Sequence, residues 1–174
     1  MTLKLSFIKA EPQDAEQLAA LINSAYRGEA SKQGWTTEAD LLDGYRTNTA
    51  ELARLLASDD SMILLCKNSE QLIGSIHLQK KQEKVYFGML AVRPALQGRG
   101  IGKQLLFAAE LAAQQIWSVS TFVMAVITSR HELIAFYERR GYRRTGAIID
   151  FPLNPELWTA KVSGLQLELL EKTL

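Results

Sequence analysis

The chain has 174 residues, 47% of them hydrophobic, and carries 20 Lys and Arg against 19 Asp and Glu for a net charge of +1. That length predicts one domain over residues 1–174, and the near-neutral charge removes the electrostatic case for general nucleic-acid or anionic-membrane binding. One cysteine, Cys66, and two histidines, His77 and His131, argue against an intramolecular disulfide or a His-rich metal site; with no membrane-length apolar run and a polar Met1–Ala10, a soluble, cytoplasmic protein without metal is expected.

Leu3 to Ala10 reads as a first strand. Pro12 and Asp14 then open a helix whose apolar positions Ala15, Leu18, Ala19, Ile22, Ala25 and Tyr26 follow helical spacing. Gly28 and Gly34 mark a loop, and Thr37-Glu-Ala-Asp40 has the capping-box pattern of a second, short helix. Asn48 followed by Glu51 predicts a third through Leu56. Met62–Lys67 and Leu72–Leu78 read as strands joined by a turn at Asn68–Gln71, and Lys84–Val92 as a buried strand ended by Pro94. A long helix follows, with Ile101, Leu105, Ala108, Ala109, Ala112 and Ile116 on one face. Thr121–Ile127 is a further strand, Leu133–Arg140 a short helix stopped by Gly141, and Tyr142–Ile149 and Leu165–Leu170 the last strands, around a loop with Pro152 and Pro155. The order predicts a mixed α/β (α+β) fold, with one parallel crossover between residues 84 and 127.

The most informative stretch is Gln97-Gly-Arg-Gly-Ile-Gly102, between a buried strand and a helix amino terminus. Glycine permits positive φ and close backbone approach, so successive N–H groups can converge on one anion with the helix dipole behind them. A phosphate or pyrophosphate site is expected around Gln97 to Lys103. A P-loop needs Ser or Thr after Gly-Lys, but Gln104 follows Lys103; a dinucleotide fold needs Gly-x-Gly-x-x-Gly and an acidic residue about 20 positions on, where Phe122 stands.

Gln97-Gly-Arg-Gly-Ile-Gly102, after Arg93-Pro94 at a strand end, resembles the acyl-CoA signature of the GNAT superfamily of N-acetyltransferases. Leu133-Ile-Ala-Phe-Tyr-Glu-Arg-Arg-Gly-Tyr142 is similar to that family's later helical segment, and the element order from Leu3 to Leu170 agrees. The resemblance implies a mostly antiparallel, twisted sheet of about seven strands with a V-shaped splay between strands 4 and 5, the strands Lys84–Val92 and Thr121–Ile127. It implies acetyl-CoA as cosubstrate, its pantetheine arm on backbone groups of Leu90, Ala91 and Val92 and its pyrophosphate on Gln97, Gly98, Arg99, Gly100, Ile101, Gly102 and Lys103. Arg130 stands where an asparagine often contacts the pantetheine arm, and Tyr137 matches the frequent general acid, with helix packing as its alternative role. The implied reaction is direct attack of an amine on the thioester; the family's occasional strand glutamate is replaced here, approximately, by Tyr86.

For a cationic acceptor, carboxylates beside aromatic faces are the expected partners. Tyr26, Glu29, Trp35 and Glu38 in the first region, His77 and Tyr86 on the strands, and Trp158 near the carboxy terminus are the candidates, with core packing as the alternative for the aromatics and a structural role for His77. Cys66, between apolar neighbours, reads as buried packing. The cluster Arg139, Arg140, Arg143 and Arg144 reads as a solvated helix end or as help with a CoA phosphate. The acceptor class stays open between a small molecule and a peptide amine. A non-catalytic acyl-CoA-binding module is the alternative function, a nucleotide-binding protein a weaker one, and the last strand's leucines offer a possible homodimer contact.

Overall fold

The structure, a computed structural model, describes residues 2–174. In chain order it contains β1 (Leu5–Lys9), α1 (Ala15–Tyr26), α2 (Gly28–Ser31), β2 (Leu42–Gly44), α3 (Thr49–Leu56), β3 (Ser61–Asn68), β4 (Gln71–Lys81), β5 (Lys84–Val92), α4 (Ile101–Trp117), β6 (Thr121–Ile127), α5 (His131–Glu138), β7 (Arg143–Asp150), β8 (Trp158–Ala160) and β9 (Gln166–Thr173). Seven strands form one sheet in the order β1-β3-β4-β5-β6-β9-β7, and β2 pairs with β8 in a separate ribbon. Every pairing is antiparallel except β5 with β6. The mixed α/β class and the seven strands are as expected.

Helices cover both faces. On one, Leu105, Leu106, Ala109 and Ala113 of α4 and Ile134 of α5 join Ile76, Leu78, Val85 and Phe122 of the sheet. On the other, Leu18, Ile22 and Ala25 of α1 and Leu52 of α3 meet Ile63, Leu65 and Ala91. The spacing read from α1 is thus the face it buries. Asn48 caps α3 as its sequence implied, its Oδ1 accepting the Glu51 N–H at 2.8 Å.

One reading is corrected. Thr37-Glu-Ala-Asp40 makes only one turn: the Thr37 hydroxyl accepts the Ala39 N–H (3.1 Å), and the chain then leaves helical geometry to pair Leu42–Gly44 with Trp158–Ala160. Neither three-residue strand has a period long enough to read; each exists because the other is opposite. The last strand, β9, lies between β6 and β7, and its Leu170 is fully buried in the chain's own core.

The sheet is weakest at its parallel step. Pairing between β5 and β6 runs only from Lys84–Phe87 to Thr121–Met124, and the strands then part. A bulge sits where they separate: Ser75 faces Ala91 while His77 faces Gly88, so Met89 and Leu90 together oppose Ile76. Met89 takes the left-handed conformation, φ +50°. The added residue inverts the side-chain alternation, so Val85, Phe87, Leu90 and Val92 share one core while Met89 and Ala91 enter the other. A buried charge cluster ties the two halves together: Glu110 of α4 accepts from the Tyr142 hydroxyl (2.7 Å) and from Lys172 of β9 (3.1 Å).

Candidate active site

The parting of β5 and β6 opens a passage with a cavity on each side, of about 210 Å³ and about 300 Å³. Tyr26, Leu90, Leu133 and Tyr137 border both cavities and so surround the neck between them.

The peptide groups of the β5 end face this neck. Ala91 pairs with Ser75 of β4 and the Arg93 N–H bonds the Ile73 carbonyl, so the alternation turns Leu90 and Val92 toward the splay. Both carbonyls have side-chain donors: Leu90 accepts from the Tyr26 hydroxyl, and Val92 from the Gln97 amide at 3.0 Å. Gln97 makes three further bonds. Its Oε1 accepts the N–H groups of Trp35 (2.8 Å) and Thr36 (3.3 Å), and its Nε2 also donates to the Thr36 hydroxyl (2.9 Å). This clamp binds the loop after α2 to the β5 end. Gly34 has no side chain for a local reason, since a Cβ there would lie 2.3 Å from Gln97 Oε1.

The larger cavity lies against the glycine turn. Gly98 (φ +81°) and Gly100 (φ +78°) take conformations that other residues rarely adopt, and α4 starts directly afterwards. Its first i→i−4 bond is Gln104 N–H to the Gly100 carbonyl, so the amides of Ile101, Gly102 and Lys103 have no acceptor within the helix. Lys103, Arg139 and Arg140 border the cavity and no carboxylate among the described residues does. Amides, helix dipole and cations together make an anion site. Trp35 and Phe136, with ring centroids 5.7 Å apart, form its apolar wall, and the Arg140 guanidinium stacks 4.3 Å from the Phe136 ring centre.

Tyr137, on α5, is buried at the neck, and its hydroxyl has no hydrogen-bond partner among the described residues. Burial, then the neighbouring Tyr26, push its phenol well above the ordinary range, with Arg130 opposing. Burial, then Glu38, likewise raise Tyr26 to about 12, against Arg46, Arg130 and Arg27. Both phenols keep their protons at physiological pH.

The smaller cavity is apolar along Phe87, Ile127, Phe151 and Trp158, and its charged groups are Arg27, Arg46, Arg130 and Glu38. Glu38 Oε1 accepts from Arg27 at 3.0 and 3.3 Å, while Arg27 also donates to the Tyr45 carbonyl and lies 5.6 Å over the Trp158 ring.

The sequence candidates distribute unevenly. Tyr26 and Tyr137 meet at the neck with Leu90; Val92, Gln97, Gly98, Gly100, Ile101, Gly102 and Lys103 border the larger cavity. Ala91 is packed in the α1 core, and Arg99 points out beside Leu3, Leu5 and Phe7. Trp35, expected near the acceptor, borders the larger cavity, whereas Arg130, expected near the cofactor, borders the smaller. Glu29 is exposed and paired to Lys32 (3.0 Å). His77 and Tyr86 border neither cavity. His77 bonds the Ser61 hydroxyl at 2.8 Å, and burial, with Arg46 and Lys81 adding, lowers its pKa to about 4; Tyr86 has the Lys81 ammonium 4.9 Å from its ring centre. Arg27 and Arg46 carry no sequence signal; only the loop between α1 and α3 brings them here.

The family described as the acetyltransferase (GNAT) domain matches residues 27–151. No curated protein is similar in sequence at a significant level. Among solved structures, the ribosomal-protein-S18-alanine N-acetyltransferase of Escherichia coli is similar with a TM-score of 0.71 at 13% identity, over 98% of this chain and 94% of that one. The PaiA N-acetyltransferase of Thermoplasma acidophilum, solved in complex with coenzyme A, gives 0.70 at 18%, over 99% and 100%. The spermidine/spermine N-acetyltransferase SpeG of Vibrio cholerae gives 0.69 at 15%, over 98% and 92%. At these identities the structures share the fold, and the family match covers the splay, the glycine turn and Tyr137. The chain belongs to the GNAT family of acetyltransferases.

Proposed function

We propose that residues 1–174 act as one domain that transfers an acetyl group from acetyl-CoA to a primary amine by direct attack. The observation that carries this reading is the neck: Leu90 and Tyr137 border both the cavity beside the glycine turn and the cavity on the opposite side. The larger cavity suits CoA, with free helix-terminal amides and Lys103, Arg139 and Arg140 for its phosphates. The N–H groups of Leu90 and Val92, and the second lone pair of each carbonyl, suit the amides of its pantetheine arm.

Each residue at the neck then has a role. The Leu90 N–H donates to the thioester carbonyl oxygen as charge develops there. The amine forms the new C–N bond, the C–S bond breaks, and Tyr137 donates its proton to the departing thiolate. Holding both reactants at one neck supplies high effective concentration. No uncommitted carboxylate borders the neck among the described residues, since Glu38 is held by Arg27. The amine therefore reacts in its neutral form and releases its proton to water, from which Tyr137 regains the proton it gave to the thiolate.

Free thiol, measured with acetyl-CoA and a panel of primary amines, tests the proposal. Acceptor-dependent thiol release supports it. Tight CoA binding without release on any amine would instead establish the acyl-CoA-binding module, the reading that the missing base favours.

A further inference from the structure

The charge of the smaller cavity is opposite to what a polyamine site requires. Three guanidinium groups border it against one carboxylate, and that carboxylate is already taken by Arg27. Arg46 is half-buried and has no ion-pair partner among the described residues. Arg130 is 13% exposed; its Nη2 donates to the Trp35 carbonyl at 3.4 Å, while its Nη1, 4.0 Å from Glu38 Oε2, is buried without a hydrogen-bond partner. Three guanidinium groups thus share one carboxylate, an excess of two positive charges beside an apolar wall of Phe87, Ile127, Phe151 and Trp158.

Resting on the acetyl-transfer reading, we infer that the acceptor is a small amine bearing a carboxylate, an α-amino acid with an apolar side chain, whose carboxylate pairs with Arg46 and Arg130. A buried cation with an open donor is costly, and an entering carboxylate relieves that cost with charge-assisted hydrogen bonds. The apolar wall takes the side chain, which leaves the α-amine for the neck. The same field acts on the nucleophile: neighbouring positive charges favour the neutral amine over ammonium, the state that a site without a carboxylate base needs. A polycation gains nothing here and meets repulsion.

The test compares thiol release from acetyl-CoA with leucine, methionine and phenylalanine, with the amides of the same three, and with spermidine, rates being referred to the neutral-amine fraction. The free acids should exceed their amides by about tenfold or more in kcat/KM, as loss of a charged hydrogen-bond partner implies. Arg46→Ala, which leaves only Arg130, should cut that preference severalfold by raising KM for the acids, leaving KM for acetyl-CoA unchanged, and Arg46→Lys should restore part of it. Amides or spermidine turning over as well as the acids, or a preference undiminished by Arg46→Ala, would overturn the carboxylate assignment and leave acetyl transfer standing. Silence from all seven amines, with CoA still bound, would overturn the carboxylate assignment; silence from the broad amine panel as well would overturn both.

Discussion

Tyr137 is useful as an acid only while it keeps its proton, and burial secures this far into the alkaline range. Tyr137→Phe removes the donor but preserves the ring's packing against Phe136 and Tyr142. Turnover should fall about 10²-fold or more, as for loss of a general acid, with the unfolding midpoint little changed. Acceptor kcat/KM should rise with pH as the amine loses its proton and show no decline up to about pH 10, since neither Tyr137 nor Tyr26 titrates below that. His77 acts on stability instead. Its folded pKa of about 4 lies below the ordinary value of 6.5, so the unfolded chain binds the extra proton first. Stability is complete above pH 6.5 and declines as pH falls toward 4, by about 3 kcal/mol for this group. Denaturant melts of His77→Gln across that window should show a shallower dependence. His77, an acceptor candidate in the sequence with a structural role as its alternative, bonds Ser61 outside both cavities, and Glu29, chosen for its charge, faces solvent.

Among the elements, the glycine turn was the most legible, because positive φ and free amides are properties of short-range chemistry. Alanine at Gly100 meets no neighbouring atom, yet its φ of +78° is unfavourable for a Cβ. Gly100→Ala should lose about 1 kcal/mol of stability and raise KM for acetyl-CoA as the turn relaxes. Gly34→Ala separates the two effects differently. Its Cβ displaces only the end of the Gln97 side chain, so stability should change by less than about 1 kcal/mol. The clamp breaks nonetheless, and titration calorimetry should show weaker CoA binding. Gln97 illustrates what spacing conceals. Its place in the signature points to a phosphate ligand, yet its side chain is spent on the nearby Val92 carbonyl and on Trp35 and Thr36, in a loop 61 or more residues away.

At the scale of the molecule, two half-sheets meet through four parallel residue pairs and a buried charge cluster on α4. Tyr142→Phe would leave Glu110 buried with one donor fewer. It should cost about 2 kcal/mol in chemical denaturation, in the range for hydrogen bonds to charged groups. Although their order in the sheet came only with the fold, the seven long strands were readable because most carry their own apolar pattern. The β2–β8 ribbon was not, since both strands owe their form to a partner over 100 residues distant. The sign of the smaller cavity was hidden for the same reason: Arg27, Arg46 and Arg130 converge only once three separate segments have packed.

A sheet that parts in its middle also exposes unpaired backbone where no sheet edge would otherwise be, and open edges recruit other chains. The Tyr26 hydroxyl and the Gln97 amide occupy the carbonyls of Leu90 and Val92 on the open side of β5. They act as stoppers against strand addition until a ligand takes that place. Removing one, as in Gln97→Ala, should make the ligand-free protein self-associate with concentration in light scattering, and saturating CoA should reverse it. The open side of β5 is thereby both the place a ligand can pair and the place an unguarded strand would be exposed.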